Sequence, residues 1–413
     1  MMVATAIIFW SASVSDRFNN QIFIVMISIT QDEQFMRQAL ELAHQGTALT
    51  SPGARVGAVI VDSQGNVAGT GSYTFEGIKH AEILALEQAG PRARGGTIYL
   101  NLEPHCHQGR TPPCTDALIA AGIARVVAAM ADPNPKVSGK GFAQLRAAGI
   151  SVETGLLEDE ARRINEAFAR YILTGLPLVT LKSGMTLDGK IAGPQGESVN
   201  TPLAADRWIT SEESRAHAQS LRHEYDAILV GAGTITADDP LLTDRTGLPR
   251  RRPLVRVVLD SRLRCPLESR LVNTAQNDVL IFCSFAEEKK RRELEDRGIR
   301  VEQVQLGTGS NDGRPDFSTI VARLGELEIT SLLIEGGALV NWAALAASVV
   351  DKVFLYYAPK ILGGAHSVPL ASGEGFSRLS EAAQVKNIML HRFGGDFAVE
   401  GYLRDPYAPT EAV

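Results

Sequence analysis

The chain has 413 residues, a length that favours two or three domains. Apolar residues make up 45% and charged residues 21%, a balance typical of folded globular proteins and unlike that of collagen, coiled coils or disordered chains. The net charge of −6 and the lack of any apolar run of roughly 18 residues argue against nucleic-acid and membrane partners.

Residues 1–26 have an apolar patch with no Lys or Arg before it, so they lack the charged start of a secretory signal. We predict that they are a disordered extension or part of a mis-called start, with Met26 as the alternative start. The chain has four cysteines, too few for a disulfide framework at this length. This cysteine usage favours a reducing, cytoplasmic location.

Strand and helix patterns alternate in the first part of the chain, from residue 27 to residue 175. A helical pattern begins at Gln31, a short apolar strand covers 56–61, and a helix that ends at a Gly covers 80–90. Further predicted elements are strands at 97–102 and 124–130 and helices at 115–122 and 156–173. The alternation predicts an α/β layer fold with a mainly parallel sheet. We place the domain boundary at residues 174–177, where Gly and Pro interrupt the chain.

The second part, from residue 176 to residue 408, contains strands that read as continuous apolar runs. Such runs are expected when helices cover both faces of a sheet. The predicted strands are 178–183, 226–231, 254–260, 278–283, 331–336 and 352–359. A helix after Trp208 is predicted to begin with a capping box formed by Thr210 and Glu213.

Glycines recur at the predicted strand ends of the second part, although the usual dinucleotide fingerprint is absent. They occur at 231–233, 336–337 and 363–364. Glycine lets backbone N–H groups approach phosphate oxygens, but each pair is also typical of an ordinary strand-to-helix turn. The basic run Arg250–Arg252 precedes a strand, and we interpret it as a solvated loop rather than an anion site.

One segment of the first part predicts a zinc-dependent hydrolytic site. His80-Ala81-Glu82 is followed by EPHCHQGRTPPC at 103–114, which supplies sulfur ligands. In zinc deaminases of nucleobases, His and Cys side chains hold the ion while a nearby Glu, which is not a ligand, moves protons. A single His is usually a structural residue, but the H-x-E element followed by P-P-C favours a metal site. We therefore predict His80 and Cys114 as ligands and Glu82 as the catalytic acid and base.

These motifs resemble the deaminase domain of the bifunctional riboflavin-biosynthesis deaminase/reductase family, which carries H-A-E and then E-P-C-x-H-x-G-R-T-P-P-C. The family's first Cys ligand corresponds to His105 here, with Cys106 one residue later, so either side chain is a candidate for the remaining zinc ligand. The chain also has Gly53 where the family has an Asn that holds the substrate base, and Lys79 where it has Pro. The resemblance implies a cytidine-deaminase-like, three-layer α/β/α zinc domain at 27–175.

The second part resembles the reductase domain of the same family, a dihydrofolate-reductase-like α/β fold that uses NADPH. Six motifs occur in the family's order: KSGMTLDGKIA at 182–192, WIT at 208–210, DAILVGAGT at 226–234, ADDPLLTDR at 237–245, EGG at 335–337 and APKILGG at 358–364. Together the two resemblances cover about residues 27–405. They imply a reductase domain at 176–408.

The resemblance also implies roles for individual residues of the reductase domain. The implied cofactor contacts are Trp208, Thr234, Asp238, Gly336 and Gly337. The implied substrate contacts are Ser198, Arg222, Leu242, Arg245 and Glu335, where guanidinium groups suit a phosphate and carboxylates suit ribose hydroxyls. Lys182 and Asp188 are candidates beside the reacting sugar carbon, although Asp188-Gly189 is equally typical of a simple turn. Residues 199–207 look like an insertion before Trp208.

The resemblance implies two consecutive steps on one phosphorylated pyrimidine. The first domain removes the 2-amino group of 2,5-diamino-6-(5-phosphoribosylamino)pyrimidin-4-one, and the second reduces the ribosyl group to a ribityl chain with NADPH. One alternative is a reductase with a vestigial first domain kept as a structural module, which His105, Gly53 and Lys79 favour. Another is an RNA-binding or tRNA-editing deaminase, which needs a basic face beside the zinc site that a net charge of −6 does not favour. The resemblance also makes a homodimer through the reductase domain an expectation.

Overall fold

The computed structural model describes residues 29–194, 208–305 and 313–409, together with the backbone of two short strands, β1 (Thr5–Ile8) and β2 (Ile24–Ile27). These two strands pair antiparallel with each other. The rest of the predicted extension lies outside the described residues, as do Ser198 and the predicted insertion 199–207. Within the described residues, no helix is both long enough and apolar enough to cross a membrane.

The first domain is built on a five-stranded mixed sheet. Its elements are α1 (Gln31–His44), β3 (Gly57–Val61), β4 (Val67–Ser72), α2 (Ala81–Ala89), β5 (Thr97–Leu100), α3 (Cys114–Ala121), β6 (Arg125–Ala128), α4 (Lys140–Ala147), β7 (Ser151–Thr154), α5 (Glu158–Ile164) and α6 (Glu166–Thr174). The strand order is β4-β3-β5-β6-β7. β3 runs antiparallel to β4 and β5, whereas β5, β6 and β7 are parallel.

Helices cover both faces of this sheet because its strands are apolar on both sides. Val59 and Tyr99 pack with residues of α1 on one face, whereas Ile60 and Ile98 pack with residues of α2 on the other. Successive side chains of a strand point to opposite faces, so neighbouring residues enter different cores. The predicted three-layer α/β/α arrangement is confirmed.

The predicted helix at 156–173 is instead two helices, α5 and α6, which meet at Asn165. The Asn165 backbone has φ −111°, outside the helical range. Its side-chain Oδ1 accepts the N–H of Arg55 at 2.8 Å, and its Nδ2 donates to the carbonyl of Arg55 at 3.0 Å. The Asn165 side chain is thus fixed to a distant backbone segment at the residue where the two helices meet.

The second domain is built on a nine-stranded sheet. Its elements are β8 (Leu178–Thr186), β9 (Lys190–Ala192), α7 (Glu212–Glu224), β10 (Ala227–Gly231), α8 (Ala232–Asp238), β11 (Val255–Leu259), α9 (Arg270–Asn273), β12 (Val279–Cys283), α10 (Glu288–Glu295), β13 (Ile299–Gln303), α11 (Phe317–Glu326), β14 (Ser331–Ile334), α12 (Ala338–Ala346), β15 (Lys352–Ala358), β16 (Val368–Pro369), β17 (Lys386–Phe393) and β18 (Asp396–Tyr402). The strand order is β13-β12-β11-β10-β14-β8-β15-β18-β17. All neighbours are parallel except the last two pairs, which are antiparallel.

The order of this sheet places three strands of chemical interest side by side. β14 lies between β10 and β8 and is parallel to both. The carboxyl ends of parallel strands meet at the same edge of a sheet, and ligands of open α/β folds bind at that edge. Lys182 lies in the middle of the longer strand β8, one residue beyond the partner of Ile334, so it is level with Glu335 after β14 and with the glycines after β10.

The predicted capping box at Thr210 is wrong. Ser211 is the N-cap of α7, because its hydroxyl oxygen accepts the N–H of Ser214 at 3.2 Å. The backbone N–H of Ser211 also donates to the Asp396 carboxylate at 2.6 Å, which fixes the start of the helix against β18. The sequence contains two adjacent hydroxyl side chains here, and tertiary contacts decide which of them caps the helix.

Candidate active sites

Three predicted zinc ligands converge in the first domain. His80, His105 and Cys114 each offer one ligand atom, and these atoms all lie within 4.8 Å of one another. His80 is the N-cap residue of α2 and Cys114 begins α3. The loop between His105 and Cys114 folds back on itself, since the N–H groups of Cys114 and Thr115 donate to the His105 carbonyl at 3.0 and 3.3 Å.

Cys106 lies outside this group. Its thiol is partly exposed and free, whereas the His105 ring lies 4.4 Å from the His80 ring, measured between centroids. The sequence left His105 and Cys106 as alternatives, and the described geometry brings only His105 to the cluster.

The protonation states of the cluster suit a metal ion. Burial, followed by the neighbouring His105, lowers the pKa of His80 to about 4, and burial also lowers the pKa of His105. Both imidazoles are therefore neutral at pH 7, the form in which His binds metals. Burial raises the pKa of the Cys114 thiol, as does the nearby charge of Glu82, so its ionisation requires a cation beside it.

Several buried polar atoms of the cluster have no hydrogen-bond partner among the described residues. They are both ring nitrogens of His105 and Oε2 of Glu82. Native proteins rarely leave such atoms unpaired unless an ion, a water molecule or a ligand completes the site. Two imidazoles and a thiol form a donor set that Zn²⁺ prefers, so the residues present fit that ion.

Glu82 occupies the position expected of a proton carrier. It lies in the first turn of α2, two residues after His80, and its side chain is buried. Burial raises the pKa of Glu82 above its ordinary value. A carboxylate with a raised pKa accepts and returns protons more readily near neutral pH.

The sequence interpretation missed Glu103, which holds the start of the metal loop, the segment from His105 to Cys114 that carries two of the three grouped side chains. Its buried carboxylate accepts backbone N–H groups from Gly139 and Gly141, each at 2.9 Å, and from Asp132 at 3.2 Å. Glu103 therefore ties the segment before His105 to the start of α4. Its place in the E-P-H motif marks it as part of the site, but only burial and its partners reveal its role.

The two departures at Gly53 and Lys79 have different surroundings. The Lys79 amine pairs with Glu87 at 2.6 Å on the surface. A Cβ atom at Gly53 would lie 3.5 Å from the Tyr73 ring, and that ring in turn contacts the His80 ring edge-on at a centroid distance of 5.2 Å. Tyr73 is thus the side chain that lies between Gly53 and the metal cluster, and the sequence interpretation did not single it out.

The second domain brings together three predicted site residues. Glu335 accepts Nε and Nη2 of Arg222 at 2.8 and 3.0 Å and Nζ of Lys182 at 3.3 Å. Burial alone would raise the pKa of Glu335, but Lys182 and Arg222 outweigh it and lower the pKa to about 2. The predicted strand 331–336 ends at Ile334, which leaves Glu335 beyond the last strand residue. The cluster therefore contains a carboxylate that is ionised at neutral pH and lies between two cations.

Asp188 lies in a turn and also holds a second loop. The turn is closed by the N–H of Gly189, which donates to the Thr186 carbonyl at 2.9 Å. The Asp188 carboxylate accepts the Thr186 hydroxyl at 2.6 Å and the N–H groups of Leu362 and Gly363 at 3.0 and 2.8 Å. These hydrogen bonds, that of Thr186 first, lower the pKa of Asp188 to about 2. Asp188 fixes the glycine-rich loop at 363–364.

The predicted cofactor contacts lie after β10, at the start of α12 and before α7. Thr234 and Asp238 belong to α8, and Gly337 is the N-cap of α12. Apart from its two chain neighbours, no residue that the structure describes has an atom within 4 Å of a Cβ placed on Gly337, so its backbone borders open space that a phosphate can approach. Trp208 is 49% exposed, and the Arg215 guanidinium lies 4.9 Å from its ring centroid.

Two predicted substrate contacts, Leu242 and Arg245, have opposite environments. Leu242 has φ +55° and a buried side chain that packs in the core beside β11. Arg245 is exposed, and its Nε lies 3.5 Å from the Gln219 side-chain oxygen. Only Arg245 therefore presents a side-chain charge to solvent. Ser198, the remaining predicted contact, belongs to the residues that are not described.

Family models match both halves of the chain. The cytidine and deoxycytidylate deaminase zinc-binding region matches residues 29–130, and the RibD C-terminal domain matches residues 177–399. The chain is 39% identical over 376 residues to the riboflavin biosynthesis protein RibD of Actinobacillus pleuropneumoniae, with 91% of this chain and 96% of that protein covered. It is 40% identical over 368 residues to RibD of Aquifex aeolicus, with 89% and 97% covered.

Solved structures with similar folds cover both domains together. Acinetobacter baumannii RibD matches with a TM-score of 0.76 at 34% identity, covering 90% of this chain and 98% of that one. A Thermotoga maritima diaminohydroxyphosphoribosylaminopyrimidine deaminase/5-amino-6-(5-phosphoribosylamino)uracil reductase matches with a TM-score of 0.74 at 33% identity, again covering 90% and 98%. The two-domain arrangement of this chain is thus shared with these proteins.

Proposed function

The chain belongs to the RibD family of riboflavin-biosynthesis enzymes, which joins a zinc-dependent deaminase domain to a reductase domain, and from this premise we propose the substrate and the residues that each domain uses. The substrate is 2,5-diamino-6-(5-phosphoribosylamino)pyrimidin-4-one, as the name of the Thermotoga maritima relative suggests. Hydrolysis of its ring 2-amino group releases ammonia, and reduction at C1′ then opens the ribose to a ribityl chain.

The convergence of His80, His105 and Cys114 beside a buried Glu82 is the observation that carries the deaminase assignment. These three side chains would hold Zn²⁺, which supplies Lewis-acid activation of water at neutral pH when bound. Glu82 Oε2 has no partner within the described chain, so it is available to take a proton from the attacking water and deliver it to the departing amine. Glu103 keeps the loop that carries His105 in place.

The reductase assignment depends on the cluster of Lys182 from β8 with residues at the carboxyl ends of β10 and β14. NADPH, when bound, supplies the hydride that C1′ accepts. Gly337 at the start of α12 suits its phosphates, while Gly336, Trp208, Thr234 and Asp238 remain predicted contacts. The Lys182 ammonium, held by Glu335, is a polar group suited to the reacting end of the sugar.

Arg245 is the better candidate of the two guanidinium groups for the substrate phosphate. Arg222 already uses Nε and Nη2 for Glu335, and its Nη1 donates to the Thr243 carbonyl at 3.2 Å. Arg245 is exposed and has fewer commitments of its guanidinium. A guanidinium fork binds phosphate bidentately only when its N–H groups are available. We therefore assign the phosphate to Arg245 and a substrate-orienting role to Arg222.

The assignment is tested by measuring zinc per chain, ammonia release from the diaminopyrimidine and NADPH oxidation with the deaminated substrate. A bifunctional enzyme holds about one zinc per chain, as the cluster of His80, His105 and Cys114 requires, and performs both reactions. A chain without zinc that releases no ammonia but still oxidises NADPH would establish the alternative, a reductase with a vestigial first domain. Failure of NADPH oxidation with intact ammonia release would overturn the reductase assignment.

We also propose that the enzyme works in the cytoplasm as a homodimer through the reductase domain, without nucleic-acid or membrane partners. β17 is an edge strand, and Ile388 and Leu390 on it are 58% and 72% exposed. Exposed apolar edge strands are sites of pairing with a second chain. All four cysteines are free, which agrees with a reducing compartment. Sedimentation of the wild type and of Leu390→Lys tests the dimer, and a tRNA-binding assay at low salt tests the nucleic-acid prediction.

A further inference from the structure

The basic run Arg250–Arg252 lies between the two domains, which corrects the interpretation of a solvated loop. Arg251 belongs to the reductase domain, and its side chain is only 17% exposed because it packs against the deaminase domain. Its backbone N–H donates to the Ala48 carbonyl at 2.9 Å, and its Nη1 donates to the Ser51 carbonyl at 2.7 Å. Its Nε also donates to the Glu76 carboxylate at 3.3 Å. One side chain of the reductase domain thus binds two segments of the deaminase domain.

Neighbouring reductase residues hold the same deaminase segment. The Ser51 hydroxyl donates to the Asp226 carboxylate at 2.6 Å, and Arg252 Nη2 donates to the Ser51 hydroxyl oxygen at 2.9 Å. Asp226 directly precedes β10, so it has a fixed position at the amino end of the buried sheet. Ser51 lies two residues before Gly53, which borders Tyr73 and hence the metal cluster. The reductase sheet therefore sets the position of this deaminase segment.

A second line of contacts runs from Arg251 to the metal loop through Phe75. The Arg251 guanidinium lies 3.7 Å from the centroid of the Phe75 ring, and the Arg110 guanidinium lies 4.0 Å from the same centroid. Arg110 belongs to the loop between His105 and Cys114. A guanidinium over an aromatic face is attracted by the ring's electron density, so both contacts hold Phe75 in place. The ring of Phe75 connects the reductase domain to the loop that supplies two of the three ligand atoms.

We propose that Arg251 is a positioning residue for the deamination, so that the deaminase site is completed by the reductase domain. This inference rests on the deaminase function proposed above. Arg251 does not belong to the metal cluster, and it acts through Ser51 and Phe75 on segments that border the cluster. Displacements of about 1 Å at a reacting centre can lower a rate by up to a hundredfold, so such indirect contacts have measurable consequences.

The test compares Arg251→Ala with the wild type in the full-length chain. We expect kcat/KM for ammonia release to fall by about tenfold or more, while zinc per chain and NADPH-dependent reduction stay unchanged. Arg251→Lys should recover part of the loss, because it keeps a cation near Phe75 but lacks the guanidinium fork that reaches Ser51 and Glu76 together. Reduction measured on the same sample reports whether the variant is folded.

The matched control breaks another contact between the domains, one that involves no residue of the loop between His105 and Cys114. Arg162 of the deaminase domain lies 3.8 Å from the Tyr407 ring centroid and 3.5 Å from the Asp405 carboxylate. Arg162→Ala should change ammonia release by no more than about twofold. Equal losses in Arg162→Ala and Arg251→Ala would overturn the proposal, because they would show a general effect of domain docking.

A second variant approaches the same contact from the deaminase side. Phe75→Leu removes the ring that both guanidinium groups contact and leaves the reductase loop intact, so it should reproduce the selective loss of ammonia release. It decides the question if Arg251→Ala fails to fold. Unchanged ammonia release in Phe75→Leu and Arg251→Ala would overturn the proposal. A wild-type chain that releases no ammonia would instead overturn the proposed function on which the inference rests.

Discussion

The two candidate active sites differ in how the protein satisfies their buried polar groups. In the deaminase domain, His105 and Glu82 have buried nitrogen and oxygen atoms without partners among the described residues. In the reductase domain, both oxygens of Glu335 accept hydrogen bonds, from Arg222 and Lys182. A buried polar atom without a partner costs about 1–3 kcal/mol, so the first site gains from binding an ion, whereas the second is complete by itself.

This difference means that the deaminase site depends on a bound cation, whereas the reductase site depends on its own ion pairs. The deaminase cluster consists of neutral donors that a cation can bring together and stabilise. The reductase cluster is an ion-pair network whose charges compensate one another before any ligand arrives. Removal of the metal ion should therefore impair the deaminase site most, and removal of one charged side chain should impair the reductase site most.

Zinc removal is expected to have the largest effect and to be confined to one domain. A chelator should abolish ammonia release and leave NADPH-dependent reduction intact, because the metal cluster includes no reductase residue. His105→Ala should have the same outcome through loss of zinc, and Cys106→Ala should retain both zinc and activity. Zinc content, ammonia release and NADPH-dependent reduction, measured on each variant, check these expectations. Loss of zinc in Cys106→Ala would show that the loop presents the thiol after all.

Replacing the proton carrier separates catalysis from metal binding. Glu82→Gln should retain zinc but lower kcat for ammonia release by about a thousandfold, because an amide cannot shuttle protons. Glu87→Gln, which changes an exposed carboxylate of the same helix, is the control and should behave as the wild type. Equal rates in Glu82→Gln and the wild type would remove Glu82 from the mechanism.

Removing the central charge of the reductase cluster should destabilise the protein as well as inactivate it. Glu335→Gln leaves Lys182 and Arg222 without their shared counter-charge, and we expect the free energy of unfolding to fall by about 3 kcal/mol at pH 7. Ammonia release should persist under native conditions. Urea unfolding and the two assays measure the effect, and a variant as stable as the wild type would contradict it.

The same variant predicts a pH dependence. Burial raises the pKa of Glu335, but the charges of Lys182 and Arg222 outweigh burial and lower the pKa to about 2 in the folded protein. The carboxylate therefore stabilises the fold fully above its ordinary pKa of roughly 4.5, and this contribution is lost as the pH falls from there toward 2. The stability gap between the wild type and Glu335→Gln should be constant from pH 5 to 7 and shrink below. A stability difference that stays constant down to pH 3 would show that Glu335 is not the group that titrates in this range.

The smallest effect is expected at Asp188, which holds the loop at Leu362 and Gly363. Asp188→Asn keeps one acceptor oxygen where the carboxylate has two, so we expect KM for NADPH to rise by about threefold with little change in kcat. Asp316→Asn changes another carboxylate that accepts a backbone N–H, at the start of α11, and serves as the control. A large fall in kcat would instead place Asp188 beside the reacting carbon.

Much of the fold and part of each site could be predicted from the sequence. Apolar runs and glycines located most strands, because burial on both faces of a sheet demands continuous apolar residues. His80, Glu82 and Cys114 were identifiable because zinc chemistry restricts the residue types that perform it. Glu103 and Tyr73 were missed, since a carboxylate or an aromatic ring has no pattern that distinguishes a structural from a functional role.

The sequence by itself indicated which chemistry this protein has: residue types at short spacing predict a zinc site, and the resemblance of six motifs to a known family implies the reductase. Only the tertiary structure showed that His105, and not Cys106, lies in the cluster with His80 and Cys114, because the two residues are adjacent in one loop and the path of the backbone determines which of them enters it. It also decided the place of Arg251, whose partners Ser51 and Phe75 lie more than 170 residues away along the chain. The periodicity of a helix or strand leaves a pattern in neighbouring residues of the sequence. Contacts between residues so far apart leave no such pattern, because the packing of one domain against the other creates them.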